Sequence, residues 1–229
     1  MTPLGNVLIS GGASGLGAAT VEAVRSEGGT PLVLDRVAPP VDVPYRLVDL
    51  ADTAATERAA TELVDEAGGE LAGVFTAAGV DAPGPLDSVS RADWERVVLV
   101  DLFGTVAVVR AALPYLARSG GTVVTCASTL GIKAVSDATA YCAAKFGVVG
   151  FTRALAAETA GRIGVTLLVP GGMHTSFFDA RDDKYKPPAD AKLNRPQDVA
   201  RTVLFALSQP PGCQVRELVV CPAEESSWP

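Results

Sequence analysis

Apolar positions divide this chain into short strand-like runs, most of them followed by a longer stretch with helical spacing. Asn6 to Ser10 reads as an apolar strand and Ala18 to Val24 as helix, with the turn Gly11-Gly12-Ala13-Ser14-Gly15-Leu16-Gly17 between them. Thr30 to Asp35 predicts a second strand and Tyr45 to Val48 a short third, joined by a proline-bearing connector over 37–43. Thr53 to Ala67 predicts a helix, and Leu71 to Ala77 a fourth strand running into Ala78-Gly79 and a Pro/Gly loop through Pro85. Trp94, Val97, Val98, Leu102, Val106, Val109 and Leu113 recur at helical intervals, so Arg91 to Ala117 reads as one long helix bent near Gly104. Gly121 to Ala127 is a very apolar strand delivering Ser128 at its end, and Ala138 to Ala160 is a second long helix. Ile163 to Val169 is a buried strand ended by Pro170-Gly171-Gly172. A charged, proline-containing stretch from Ser176 to Asn194 breaks the pattern for about twenty residues, as lids and disordered loops do. A helix from Arg195 to about Leu207, a last strand over Glu217–Val220 and a polar tail over 224–229 complete the chain.

Strands buried on both faces and separated by helices predict an α/β fold, a doubly wound parallel sheet with helices on both faces. Such sheets take ligands outside the carboxyl ends of their strands. Gly11–Gly17, Asp35, Ala78-Gly79, Ser128 and Pro170-Gly171 all fall there.

At 229 residues and 48% hydrophobic, the chain is long enough for one substantial core, so a single domain is expected. A net charge of −7 argues against nucleic acid, whose phosphates require a basic stripe. No run approaches the roughly 20 apolar residues of a membrane span, and no leader pattern opens the chain, so a cytoplasmic protein with no membrane partner is expected. The four cysteines, at 126, 142, 213 and 221, have no C-x-x-C spacing and no histidine pairing, so no metal site is expected and reduced thiols are.

Strand, glycine turn and helix in succession let backbone N–H groups and a helix N-terminus meet a diphosphate. Asp35, ending the next strand 18 residues beyond Gly17, can accept hydrogen bonds from an adenosine ribose or serve as an ordinary strand-end cap. Tyr141 and Lys145 stand four apart in Ala140-Tyr141-Cys142-Ala143-Ala144-Lys145-Phe146 and share one helix face. A free phenol, with a pKa of about 10, is a poor base at neutral pH, and bringing it near 7 takes about 4 kcal/mol. A neighbouring ammonium supplies part of that, and an oxidised nicotinamide ring more. The next residue, Cys142, points about 100° away on the helix and reads as packing.

In this order the pieces resemble the classical short-chain dehydrogenases/reductases over nearly the whole length. The family's Thr-Gly-x-x-x-Gly-x-Gly turn is Ser10-Gly11-Gly12-Ala13-Ser14-Gly15-Leu16-Gly17, its Tyr-x-x-x-Lys is Tyr141 with Lys145, and its serine is Ser128, thirteen residues before Tyr141. Its Pro-Gly-x-x-x-Thr is Pro170-Gly171-Gly172-Met173-His174-Thr175. The resemblance implies a Rossmann-like fold with a cofactor-binding half over about 1–125 and a catalytic and substrate-binding half over about 126–229. It implies hydride transfer between nicotinamide and an alcohol or carbonyl carbon of a small or medium organic molecule. Tyr141 would be the general acid or base, Ser128 would bond the substrate oxygen, and Lys145 would lower the Tyr141 pKa and hold the nicotinamide ribose. Asp35 resembles the NAD-selective members, tempered by Arg36, and Ser14 stands where many NADP-dependent relatives carry a basic residue, so NAD is favoured over NADP. Asp49 matches the acid near the adenine ring and Thr175 the threonine near the carboxamide, and Leu50, Ala78, Gly79 and Met173 are expected among the cofactor-binding residues.

Two positions depart from the family. Its Asn-Asn-Ala-Gly is Thr76-Ala77-Ala78-Gly79, where Thr76 is expected to replace an amide that ties the sheet together. Asp101 stands where the family has an asparagine of the proton relay, which implies a relay with altered pH behaviour or lost activity. Phe177, Phe178 and Tyr185 are candidates for a substrate lid over 176–194, or for anchors of that loop. His174, the single histidine, has no second histidine to work with. The two long helices, with Ala154, Ala156 and Ala157, imply a homodimer or homotetramer. A non-redox family member and a catalytically weak dinucleotide-binding scaffold are the alternative functions.

Overall fold

In the computed structural model, which describes residues 4–225, 227 and 228, strand residues alternate between two apolar layers. In β1 (Asn6–Ser10), Val7 and Ile9 face one layer and Leu8 the other; in β2 (Thr30–Asp35), Val33 faces the first and Leu32 and Leu34 the second. Each strand is therefore apolar on both faces, which is why it reads as a continuous hydrophobic run rather than an alternating one. With β3 (Tyr45–Leu47), β4 (Gly73–Thr76), β5 (Thr122–Cys126), β6 (Gly164–Pro170) and β7 (Glu217–Val220) they form one parallel sheet in the order β3-β2-β1-β4-β5-β6-β7.

Helices α1 (Gly15–Ser26) and, near the C-terminus, Pro196–Leu207 cover the first layer, through Leu16, Val21, Val24, Val199, Val203 and Leu207. The second layer is covered by α2 (Thr53–Glu66), α4 (Thr105–Ser119) and α5 (Thr139–Glu158), through Leu63, Val64, Val108, Leu116 and Leu155. Helix α3 (Arg91–Val98) leads into α4, and the C-terminal helix is α6. Phe75 of β4 is fully buried at the sheet centre, where truncation to Ala costs about 3–5 kcal/mol in proteins generally. Element ends differ from the sequence reading by a few residues at most; Val48, expected in β3, still donates to Asp35 O at 2.8 Å.

The bend expected near Gly104 is a π turn over Leu99–Gly104, joining α3 to α4. Thr105 Oγ1 donates to Asp101 O at 2.8 Å, and a side chain at 104 would lie 3.0 Å from Leu50 Cβ, so a glycine lets the turn seat against the neighbouring loop. Single π turns are frequent at functional sites because they re-aim a side chain. Here the re-aimed residue is Asp101. The expectation that no segment approaches a membrane-spanning length needs correction. Arg91–Ser119 is 29 helical residues long with a window of mean hydropathy 1.9, half of it buried inside the fold. Buried residues of this segment, among them Val100, Val108, Val109 and Leu116, belong to the core, while Leu99 and Phe103 are exposed.

Of the tail over 224–229, Ser226 and Pro229 lie outside the described residues. Glu225 accepts from Gly172 N at 3.0 Å and from Ser227, whose hydroxyl also meets Thr129 Oγ1 at 2.6 Å. The polar tail is thereby tied to the loops that follow β5 and β6.

Candidate active site

The glycine turn after β1 is shaped by contact. A side chain at Gly11, whose φ is +74°, would come within 2.6 Å of the Ala78 backbone, and one at Gly17 would strike Gly11 O at 1.9 Å. Ser10 is buried and its carbonyl accepts from Ala77 N at 3.0 Å, which fixes the turn beside the Ala78-Gly79 loop. Ser14 is the N-cap of α1 without a side-chain capping bond, and the first turn of α1 holds no acid. Its leading N–H groups are thus free of a side-chain cap, and a helix start of this kind suits a diphosphate. Thr175 approaches the same turn, 3.4 Å from where a Gly15 side chain would begin. The Leu16 side chain enters the core, so a nucleotide can meet only its backbone.

Asp35 bridges β2 to that turn: Oδ2 accepts from Ala13 N at 3.0 Å, and Oδ1 accepts from Arg36 N at 2.6 Å and Val37 N at 3.3 Å. The carboxylate is held at the end of its strand with lone pairs to spare for a ribose diol, and Arg36 is exposed beside it. Asp49 accepts from Ala51 N at 3.1 Å, and Arg96 Nη2 donates to both of its carboxylate oxygens, at 3.2 Å to Oδ1 and 3.1 Å to Oδ2. Partial burial raises its pKa, but these bonds outweigh it and hold the carboxyl below the usual range. Leu50 lies in the core, so its side chain is not part of the nucleotide cleft.

At the ends of β4 and β5 the candidate chemistry converges. Ser128 caps a 3₁₀ turn over Thr129–Gly131, accepting from Leu130 N at 3.1 Å, and its hydroxyl lies close enough to the Tyr141 phenol to favour the ionised form. A side chain at Gly131 would lie 2.8 Å from Lys145 O, so that turn packs flush on α5 and sets the Ser128–Tyr141 contact. Lys145 is buried; its Nζ lies 3.2 Å from Asp101 Oδ2, 3.1 Å from Cys126 O and 5.5 Å from the Tyr141 ring centroid. Asp101 is fully buried, and its Oδ1 accepts from Val80 N at 2.8 Å. Burial pushes the Tyr141 phenol up to about 12; Lys145 and the Ser128 hydroxyl pull it down, while Asp101 and the Cys126 thiol push it further up. Burial disfavours the Lys145 cation, but Asp101 outweighs it and Lys145 stays charged.

Thr76 corrects an expectation. It is buried in the sheet, but its Oγ1 has no hydrogen-bond partner among the described residues. It fills the position without tying the sheet.

The segment over 176–194 closes on this group. The Phe177 ring lies 5.7 Å from that of Tyr141, and Phe178 meets Phe177 edge-on at 5.5 Å. The Arg181 guanidinium stands over both phenylalanines, and Tyr185 donates to Asp137 Oδ2 at 2.8 Å. Pro170 ends β6, Gly171 N donates to Val220 O at 3.0 Å, and a Gly171 side chain would strike the Glu225 carboxylate at 2.3 Å. Met173 pairs with Asn194 and packs on the core, and the exposed His174 donates its backbone N–H to Asn194 O at 2.9 Å.

The structure thus gathers Ser128, Tyr141, Lys145 and Asp101, and sets the glycine turn, Asp35 and Thr175 along the strand ends leading to them. Sequence reasoning missed Asp81, Arg96, Arg181, Glu225 and the Cys126 carbonyl. Nothing in local spacing marks them, since each partner lies on a distant segment.

A parallel sheet of this order, with an uncapped helix start beside a fixed acid and a half-buried Tyr141 and Ser128 around the buried Lys145, has the architecture of a dinucleotide-binding fold. The comparisons make the class specific. The short chain dehydrogenase family model matches residues 5–186. The chain is 33% identical to levodione reductase of Leifsonia aquatica, over 76% of this chain and 71% of that protein. It is 32% identical to the (2S)-[(R)-hydroxy(phenyl)methyl]succinyl-CoA dehydrogenase subunit BbsD of Thauera aromatica, over 86% and 87%. A crystal structure of levodione reductase superposes with a TM-score of 0.85 at 28% identity, covering 96% of each chain. The chain belongs to the short-chain dehydrogenase/reductase family, whose members work with nicotinamide cofactors.

Proposed function

We propose that this chain is an NAD-dependent dehydrogenase/reductase acting between a secondary alcohol and its ketone on a small or medium organic molecule, with Tyr141 as general acid/base. The observation that carries this reading is the Tyr141 phenol beside Ser128, with the buried Lys145 Nζ 5.5 Å from its ring centroid. Ser128 is placed to bond the same substrate oxygen that exchanges a proton with Tyr141. Nicotinamide supplies or accepts the hydride at the substrate carbon. The relatives named as dehydrogenase and reductase support a redox reaction over isomerisation.

Among the cofactor residues, the glycine turn with Ser10, Gly11, Ser14, Gly15 and Gly17 would take the diphosphate, and Thr175 would close over it. Asp35 would accept from the adenosine ribose. Its fixed carboxylate repels a 2′-phosphate, which supports NAD over NADP. Asp49 would serve the adenine end, and Lys145 the nicotinamide ribose. Phe177 on the Tyr141 ring supports a substrate with an apolar face. Exposed Leu99, Phe103 and Phe146 along the long helices support a homo-oligomer, and the four free cysteines suit a cytoplasmic protein.

The test is a parallel titration with NADH and NADPH, followed by nicotinamide fluorescence, then a screen of secondary alcohols and ketones. Selective NADH binding with turnover is expected. NADPH preference would overturn the reading of Asp35, and binding of neither nucleotide, reduced or oxidised, would leave a scaffold.

A further inference from the structure

Within the candidate site one charge is unaccounted for by proton exchange at Tyr141. Asp101 sits on the π turn, fully buried, with Oδ1 taken by Val80 N at 2.8 Å and Oδ2 against Lys145 Nζ at 3.2 Å. An ammonium has three N–H groups. Lys145 donates to Cys126 O at 3.1 Å and stands 3.2 Å from Asp101 Oδ2 as an ion pair, although Oδ2 accepts no hydrogen bond of good geometry among the described residues, so a further N–H remains for a ribose or a water. An amide at position 101 would offer a dipole where this chain has a full negative charge, and a buried carboxylate in contact with an ammonium cancels most of its field at a third group.

We propose that Asp101 is a positioning residue that holds Lys145 in a buried ion pair and thereby keeps Tyr141 protonated, so that the protein rests in the form ready to reduce a carbonyl. This rests on the reading of Tyr141 as the acid/base. In the reductive direction the phenol O–H bond breaks and its proton goes to the carbonyl oxygen. The carbonyl carbon gains the hydride, with both electrons, from the reduced nicotinamide. The phenolate then recovers a proton from solvent, giving alcohol and oxidised cofactor. Oxidation needs the phenolate at the outset, so its rate climbs with pH where reduction has already reached its plateau.

The charged and titratable neighbours agree from every side. Lys145 lies on the tyrosine's own helix, Asp101 on the π turn, Cys126 on β5 and Ser128 on the turn after it. Asp81, on the loop after β4, faces Asp101 and Lys145 and is paired with Arg181 of the 176–194 segment. Asp101 therefore opposes Lys145 at the phenol, and the neighbouring Asp81 is itself balanced by Arg181. Burial raises the Tyr141 pKa and Asp101 adds to that rise, in keeping with this arrangement.

The experiment is an ultraviolet tyrosinate titration of the full chain without cofactor or substrate, with Tyr141→Phe as the reference that isolates one of the four tyrosines. Tyr141 is expected to stay protonated through about pH 10.5, above the ordinary phenol value. In Asp101→Asn, its ionisation constant is expected to rise at least tenfold while the circular dichroism spectrum stays unchanged. An unchanged constant in a folded Asp101→Asn would overturn the proposal. So would ionisation of Tyr141 below pH 9 in the unsubstituted protein, a result that needs no folded variant. With a substrate in hand, the alkaline limb of the oxidation profile should move to lower pH in Asp101→Asn; a profile lowered at every pH without displacement would mean a purely structural role. Because the titration involves no nucleotide, its failure is separate from a failure of cofactor binding.

Discussion

Arg181 reaches across the candidate cleft to Asp81, Nη2 to Oδ2 at 2.6 Å, with side chains only 15% and 6% exposed. The same guanidinium lies 4.9 Å from the Phe177 ring centroid and 4.6 Å from that of Phe178. One side chain thus joins the 176–194 segment to the loop after β4 and sets Phe177 against Tyr141. This geometry anchors the segment to the body of the fold beside Tyr141.

Removing one partner should therefore cost more than removing a surface ion pair. Arg181→Ala leaves the Asp81 carboxylate enclosed and uncompensated, an arrangement worth about 3 kcal/mol, or roughly 6–12 °C of Tm in a protein of this size. Burial raises the Asp81 pKa in spite of Arg181. The folded state then binds a proton more readily than the unfolded chain, so the variant's deficit should shrink as pH falls from 7.5 to 5. Thermal melts at the two pH values check this, and Asp81→Asn in the same chain should recover part of the loss.

Tyr141→Phe should reduce turnover by at least about a hundredfold, the lower end of general acid/base contributions. Cofactor binding should stay within a few-fold, because the ring and its contact with Phe177 are retained. Turnover and NADH fluorescence titration on one preparation separate the two effects. Unchanged turnover would remove Tyr141 from the chemistry.

Asp35→Ala should relax nucleotide choice. The carboxylate is held by the N–H groups of Ala13, Arg36 and Val37, and on the proposed reading it meets the adenosine ribose. Without it, the exposed Arg36 faces that position unopposed. The ratio of NADPH to NADH affinity is expected to rise at least tenfold, measured by parallel titration.

Two glycine-to-alanine changes should act in opposite directions. At Gly17 the new Cβ would lie 1.9 Å from Gly11 O, so the turn must open, and loss of nucleotide binding is expected together with a lower Tm. At Gly150, exposed in the interior of α5, a Cβ meets nothing within 4 Å. There alanine should add about 0.5–1 kcal/mol through helix propensity. Thermal melts of both variants at equal protein concentration decide it.

Local pattern determined much of this protein. The order of strands and helices, the glycine turn, the acid ending β2 and the Tyr141–Lys145 spacing are legible because each depends on residues within a turn or two of one another, where pleat and helix period fix direction. The Ser128–Tyr141 contact was legible through motif spacing, and the bend near Gly104 through a glycine in a long helix. Tertiary structure alone decided the rest. The π turn that aims Asp101 at Lys145, 44 residues away in the chain, depends on α3, α4 and α5 packing together. Thr76 looks able to replace an amide, but its hydroxyl finds no partner once the strands are in register. Asp49 reads only as an acid of the adenine end, and its pairing with Arg96 appears once α3 lies beside the loop after β3. Asp81 and Arg181 carry no local signal at all; only folding of the sheet brings their loops to one end and turns two ordinary surface-type residues into a nearly buried pair. Periodicity encodes which face a residue occupies. Which charges meet across that face is set by the packing of several elements at once.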